Sequence, residues 1–224
     1  MIRTGVVLTG LFFIVAASAW GQGTGVTVHK ATPTVAQRTF DPKHPPKDIP
    51  VLVPGEAGIT HYEYTTDIAV AGDSDTLGPG SVNLIVDTAD INLSLPITVW
   101  LENKPTQQLI DHENGHVAIS EYYYANIDVY ARRAAQAIMG KTFNGTGKDK
   151  QSAQDDATHK AIQQIETEIL NQTRVRAVAC NDRYDKITNH GQNPGSQADA
   201  AAQAEAADPE PADPEPAGGK PASK

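Results

Sequence analysis

Apolar and polar positions alternate from 59 to 101 and then switch to a helical period, and that switch organises the chain. ITHYEYTTDIAV (59–70) alternates as a strand does, GDSDTLGPG (72–80) reads as a loop, and SVNLIVDTADINLSLPITVWL (81–101) gives one or two further strands. Within the last of these, Ile91, Leu93 and Leu95 are set against Asn92 and Ser94, so one face should be buried. Pro96 has no N–H to give to a ladder, which predicts a sheet-edge position for residues 91–101. Such an edge could accept an extended peptide as an added strand.

After Asn103-Lys104-Pro105 the period changes. Thr106 is the expected N-cap of one long helix in which Leu109, His112, His116, Tyr123, Ile127, Tyr130, Ala134 and Ile138 recur at helical spacing until Gly140. KTFNGTGKDK is turn-rich, and a second helix is expected from about Asp155 to Asn181, with Ala161, Ile162, Ile165, Ile169 and Ala177 on one stripe. Two long helices with a short connection pack antiparallel. The predicted fold is therefore α+β, a small antiparallel sheet packed on two long antiparallel helices.

The two ends read differently. In MIRTGVVLTGLFFIVAASAW, Arg3 precedes an apolar run from about Gly5 to Ala17, and Ala17-Ser18-Ala19 supplies small residues for cleavage. Residues 1–19 thus have the layout of a secretory signal peptide, and the run falls short of the about 20 apolar residues that span a bilayer. The mature chain is expected to begin near Trp20, to have no stable membrane span after cleavage, and to work in the periplasm or outside the cell. Residues 20–54, which include PKHPPKDIP, read as an extended leader, and 55–196 as the folded domain. Residues 197–224 carry two copies of ADPEP and read as a disordered tail rich in Ala, Pro and Glu.

Composition narrows the partners. The chain has 224 residues and a formal net charge of −9, which argues against a sequence-independent nucleic-acid binder. Cys180 is the only cysteine, so no intramolecular disulfide can form, and its expected role is that of a small buried hydrophobe.

HENGH (112–116) carries the chemistry. Residues four apart on a helix differ by about 40° in azimuth and one turn in height, so His112 and His116 can address one point beside the helix. Zinc takes imidazole nitrogen, and a catalytic site uses three protein ligands and leaves a place for water. Glu113, beside the first ligand, is the expected general base.

The third ligand must come from elsewhere. The longer pattern HExxHxxGxxH is excluded because Ile119 and Tyr122 stand where it needs Gly and His. Glu121 points away from His116 by about 140°. A returning second helix comes level with His112 near CNDRYDKITNHG, where Asp182, Asp185 and His190 are within reach. His190 is the favoured ligand and Asp185 the second choice. Tyr184 is a candidate to stabilise an oxyanion through its hydroxyl, with packing as the alternative, and Asp185, if not a ligand, could orient a ligand imidazole.

LPITVW, LIDHENGHVAISEYY and YDKITNHG together resemble a family of secreted bacterial proteins of unknown function predicted to be zinc-dependent proteases. The resemblance runs from about Thr60 to Gln197. It implies a zincin-like hydrolase, with His112, Glu113 and His116 on the metal motif and Tyr184, Asp185, Thr188, His190 and Gly191 on the second block. The expected function is an exported metalloprotease that holds Zn2+ and acts on a peptide or protein substrate. The alternatives are a non-catalytic envelope protein stabilised by zinc and an interaction module whose histidines are incidental.

Overall fold

The computed structural model describes residues 25–50, 52 and 57–208. The expected signal peptide and all but the first two residues of the ADPEP copies lie outside these residues. Among the described residues no helix is long and apolar enough to cross a membrane.

The strands form two mixed sheets rather than one small antiparallel sheet. In the first, β5 (Ser81–Ser94) is flanked along its whole length by antiparallel β4 (Thr65–Gly78). Its other side is shared by parallel β1 (Gly25–Lys30) and antiparallel β7 (Thr142–Thr146). In the second, β6 (Pro96–Glu102) lies between parallel β2 (Thr34–Phe40) and antiparallel β3 (Gly58–Tyr62).

The expected edge position of 91–101 is therefore wrong: β5 and β6 are both central. Pro96 is tolerated because it is the first residue of β6, opposite Thr34, and its carbonyl still accepts from the Glu63 N–H. The stretch 72–80, read as a loop, is mostly strand. Its ladder absorbs irregularities at Ala71/Gly72 and Thr76/Gly78, and a Cβ on Gly72 would lie 1.8 Å from the Ile85 carbonyl oxygen.

The segment read as an extended leader supplies two sheet strands. β1 alternates only briefly, Val26 and Val28 packing against the core, and β2 is exposed apart from Phe40, so neither carries a strong pattern to register. Their backbones pair with β5 and β6, and that pairing is indifferent to side chains.

Each predicted helix is two. The first divides into α1 (Gln107–Tyr124), which does begin at a Thr106 cap, and α2 (Ile127–Gln136). Lys30 holds the junction, donating to the Ala125 carbonyl and to Asp128 in the first turn of α2. The second divides at Thr173 into α3 (Lys150–Gln172), opened by an Asp149–Ser152 capping box, and α4 (Arg174–Thr188). Thr173 has φ −122° and ψ −82°, and its hydroxyl returns to the Ile169 carbonyl.

A fifth helix, α5 (Gln197–Ala206), lies in the segment read as a disordered tail. Its alanines Ala200, Ala201 and Ala204 are buried, a face too small in side-chain volume to stand out in composition. The main core joins Leu84, Val86, Ile91 and Leu93 of β5 to the helices through Ile119, Ile127, Ile138, Ile165 and Ile169. α1 sits between β3 and β6 on one side and α4 and α5 on the other, and the HENGH turn itself is met by β3, α4 and α5.

Candidate metal centre

His112 and His116 face α4 from one side of α1. α4 answers with the same spacing, placing Asn181 and Asp185 four apart on its buried face. The two Nε2 atoms lie 3.3 Å apart, and Asp185 Oδ1 is 3.4 Å from that of His112 and 3.1 Å from that of His116. The three side chains are 6%, 13% and 27% exposed respectively.

The outer nitrogens fix what the inner ones present. His116 Nδ1 is 2.6 Å from Asn181 Oδ1. That amide cannot be turned around, because its Nδ2 donates to the Ala177 carbonyl at 2.9 Å and to the Tyr62 hydroxyl at 3.1 Å. The Nδ1 of His116 therefore carries the proton, and its Nε2 offers a lone pair. His112 Nδ1 lies 3.3 Å from Gln197 Oε1.

Two ring nitrogens and a carboxylate oxygen thus converge, and the buried Asp185 Oδ1 has no hydrogen-bond partner outside this triangle. A proton on one of the ring nitrogens or a metal ion satisfies such a triangle. Ligand atoms held tetrahedrally at zinc distances are separated by about 3.3–3.4 Å, and the three edges here match that closely enough for the residues to fit the ion.

The electrostatics follow the same demand. Burial opposes charge on Asp185, but hydrogen bonding and electrostatic attraction from the His112 and His116 rings outweigh it and hold the carboxyl well below the usual carboxylate range. Burial likewise opposes charge on His116, and Asp185, Glu113 and Asn181 together overcome it and raise its pKa.

Glu113 is 3% exposed and leans towards β3, where the Thr60 hydroxyl donates to Oε2 at 2.7 Å. Burial pushes its pKa up, against the opposing pull of His116, Thr60 and His112. Room for this carboxylate depends on Gly58, where a Cβ would lie 2.8 Å from Oε1.

The other predicted residues are placed differently from one another. The His190 ring is not part of the triangle: its Nδ1 is 3.8 Å from Asp185 Oδ1 and its side chain is 63% exposed. It follows Asn189 at the end of α4, and both residues have left-handed backbone, with φ 50° and 53°. This sharp reversal swings His190 out of the inward face that α4 gives to Asp185.

Tyr184 is fully buried, stacked at 13° on the His112 ring, with its hydroxyl 3.0 Å from the His112 carbonyl and 3.1 Å from Gln197 Oε1. The hydroxyl is shared between these two acceptors. A Cβ at Gly115 would lie 2.1 Å from it, so Gly115→Ala is expected to lower stability by about 1–3 kcal/mol through overpacking. Thermal denaturation should show a fall of about 3–10 °C, and an unchanged midpoint would mean that Tyr184 has room to move.

Thr60, Asn181 and Gln197 were missed by sequence reasoning. Asn181 did carry a signal, its four-residue spacing to Asp185 mirroring that of the histidines. Thr60 and Gln197 carried none, since each reaches the site from an element remote in sequence. Comparison with known protein families, curated proteins and solved structures finds no match.

Proposed function

We propose that this protein is an exported zinc-dependent hydrolase of the zincin type that cleaves peptide bonds. His112, His116 and Asp185 hold the ion, and Glu113 is the general base. The single observation that carries this is the triangle of three mutually facing candidate ligand atoms, with edges of 3.1–3.4 Å, in the same helical turn as a buried glutamate.

A zinc ion there supplies positive charge that polarises a carbonyl and makes a water acidic near neutral pH. The remaining work belongs to the chain. Glu113 accepts the proton of the attacking water at its carboxylate and returns it to the leaving amine, a task served by its raised pKa. Thr60 fixes the carboxylate through Oε2, while Asn181 and Gln197 hold the imidazoles with their Nε2 atoms inward. Tyr184 supports the His112 ring from below.

Among the described residues β3 pairs only with β6, so its outer edge, beside Thr60 and Glu113, can take an extended peptide as a further strand. This edge replaces residues 91–101 as the place for substrate addition.

Elemental analysis of the purified chain tests the reading, with one zinc per chain expected. Zinc at about 1,000 times its Kd adds about 4 kcal/mol, so chelation should lower the melting temperature by about 8–16 °C. A chain without zinc, whose melting temperature is indifferent to chelator and to added zinc, would leave the histidines as incidental features of an interaction module.

A further inference from the structure

α5 lies in the part of the chain whose composition marks it as a spacer, yet it enters the centre of the site. Ser196 caps it through the Asp199 N–H, and Gln197, 7% exposed, opens it with Oε1 between His112 Nδ1 and the Tyr184 hydroxyl. Ala200, Ala201 and Ala204 are buried between the two ends, and α5 packs on both α1 and α4. Just past the far end, Asp208 accepts from the Tyr123 hydroxyl at 2.7 Å and from Arg176 Nε at 2.8 Å, with Arg183 3.6 Å away.

The His112 ring is fixed in orientation by the Tyr184 stack and by Gly191, whose Cβ would fall 2.8 Å from its Cγ. Neither contact chooses which ring nitrogen carries the proton. That choice falls to the hydrogen bond at Nδ1, and its partner is Gln197. A docked α5 therefore presents the Nε2 lone pair to the ion, and an undocked α5 withdraws that preference.

We propose that Gln197 is a positioning residue for His112, and that docking of the carboxy-terminal helix and loading of the metal site are thermodynamically linked, each strengthening the other. This inference rests on the zinc reading above. Linkage is reciprocal: if α5 raises affinity for the ion, the ion must stabilise docked α5 by the same factor.

The test uses the full chain as wild type, Gln197→Leu and Gln197→Glu. Zinc affinity is measured by competition with a chromogenic chelator, and amide hydrogen exchange across Gln197–Ala206 is followed with and without zinc. Gln197→Leu should lose on the order of tenfold in affinity, whereas Gln197→Glu, which keeps an acceptor and has no donor, should stay within about threefold of wild type. Zinc should slow exchange in α5 of the wild type and the Glu variant and leave the Leu variant unchanged.

The inference is overturned if Gln197→Leu binds zinc as tightly as wild type, if Gln197→Glu falls as far as Gln197→Leu, or if zinc leaves exchange in wild-type α5 unaltered. A wild type that takes up no zinc overturns the hydrolase reading and this inference together. A zinc-binding wild type with an unaffected Leu variant overturns this inference alone.

Discussion

Asp185→Ala is expected to lower zinc affinity by about 10²- to 10³-fold, the share of one ligand in a binding free energy of about 10–16 kcal/mol spread over four positions. The comparison that gives this result meaning is His190→Ala. Both residues lie in YDKITNHG, but Asp185 Oδ1 completes the triangle, whereas the His190 ring is largely in solvent. His190→Ala should therefore keep affinity within about threefold of wild type, an exposed neighbour of the site mattering less than an orienting partner. Competition with a chelator reads both variants, and circular dichroism checks that each remains folded. The opposite ranking would restore His190 as the third ligand and require the end of α4 to rearrange when the ion enters.

Glu113→Gln should leave zinc bound and reduce hydrolysis of a generic protein substrate by about 10²- to 10⁴-fold, the usual contribution of a general base. The amide is nearly isosteric and can still accept from Thr60, so the site keeps its shape. A variant that hydrolyses as fast as wild type would remove Glu113 from the chemistry. If the wild type itself cleaves nothing across a broad peptide library while holding zinc, the centre is structural, and the non-catalytic envelope protein becomes the better description.

The same substitution has a stability consequence in metal-free protein. Burial raises the Glu113 pKa in the folded state, so folding binds its proton more tightly than the unfolded chain does. The favourable share of that group is complete below its ordinary value, near 4.5, and is lost as pH rises through the raised one. Metal-free Glu113→Gln, which has no charge to bury, should therefore melt higher than metal-free wild type at neutral pH. The gap should close as pH falls towards 4.5. A gap that stayed constant with pH would mean that Glu113 is ionised without penalty.

Much of the site was legible because its residues are close in sequence. The spacing of His112 and His116 defines a shared direction on any helix that contains both, and the Thr106 cap was readable. The region that supplies Asp185 was also reached, although by a different path. The prediction assumed one helix descending from residue 155, whereas a break at Thr173 lets a separate α4 approach α1. The choice between Asp185 and His190 depended on where α4 ends. Two left-handed residues at 189 and 190 turn the chain, and only their backbone angles reveal it.

By itself the sequence determined the α+β class, the switch from strand to helix near residue 105 and the histidine pair with its glutamate, all consequences of side-chain period within one element. The tertiary structure alone decided the two mixed sheets, the central places of β5 and β6, the capture of β1 and of the exposed β2, and the arrival of Thr60 and Gln197 at the site. Those features rest on backbone hydrogen bonds and on packing between distant segments. Neither leaves a periodic mark, because a polar strand can pair as well as an apolar one and an alanine face can bury as completely as a leucine face.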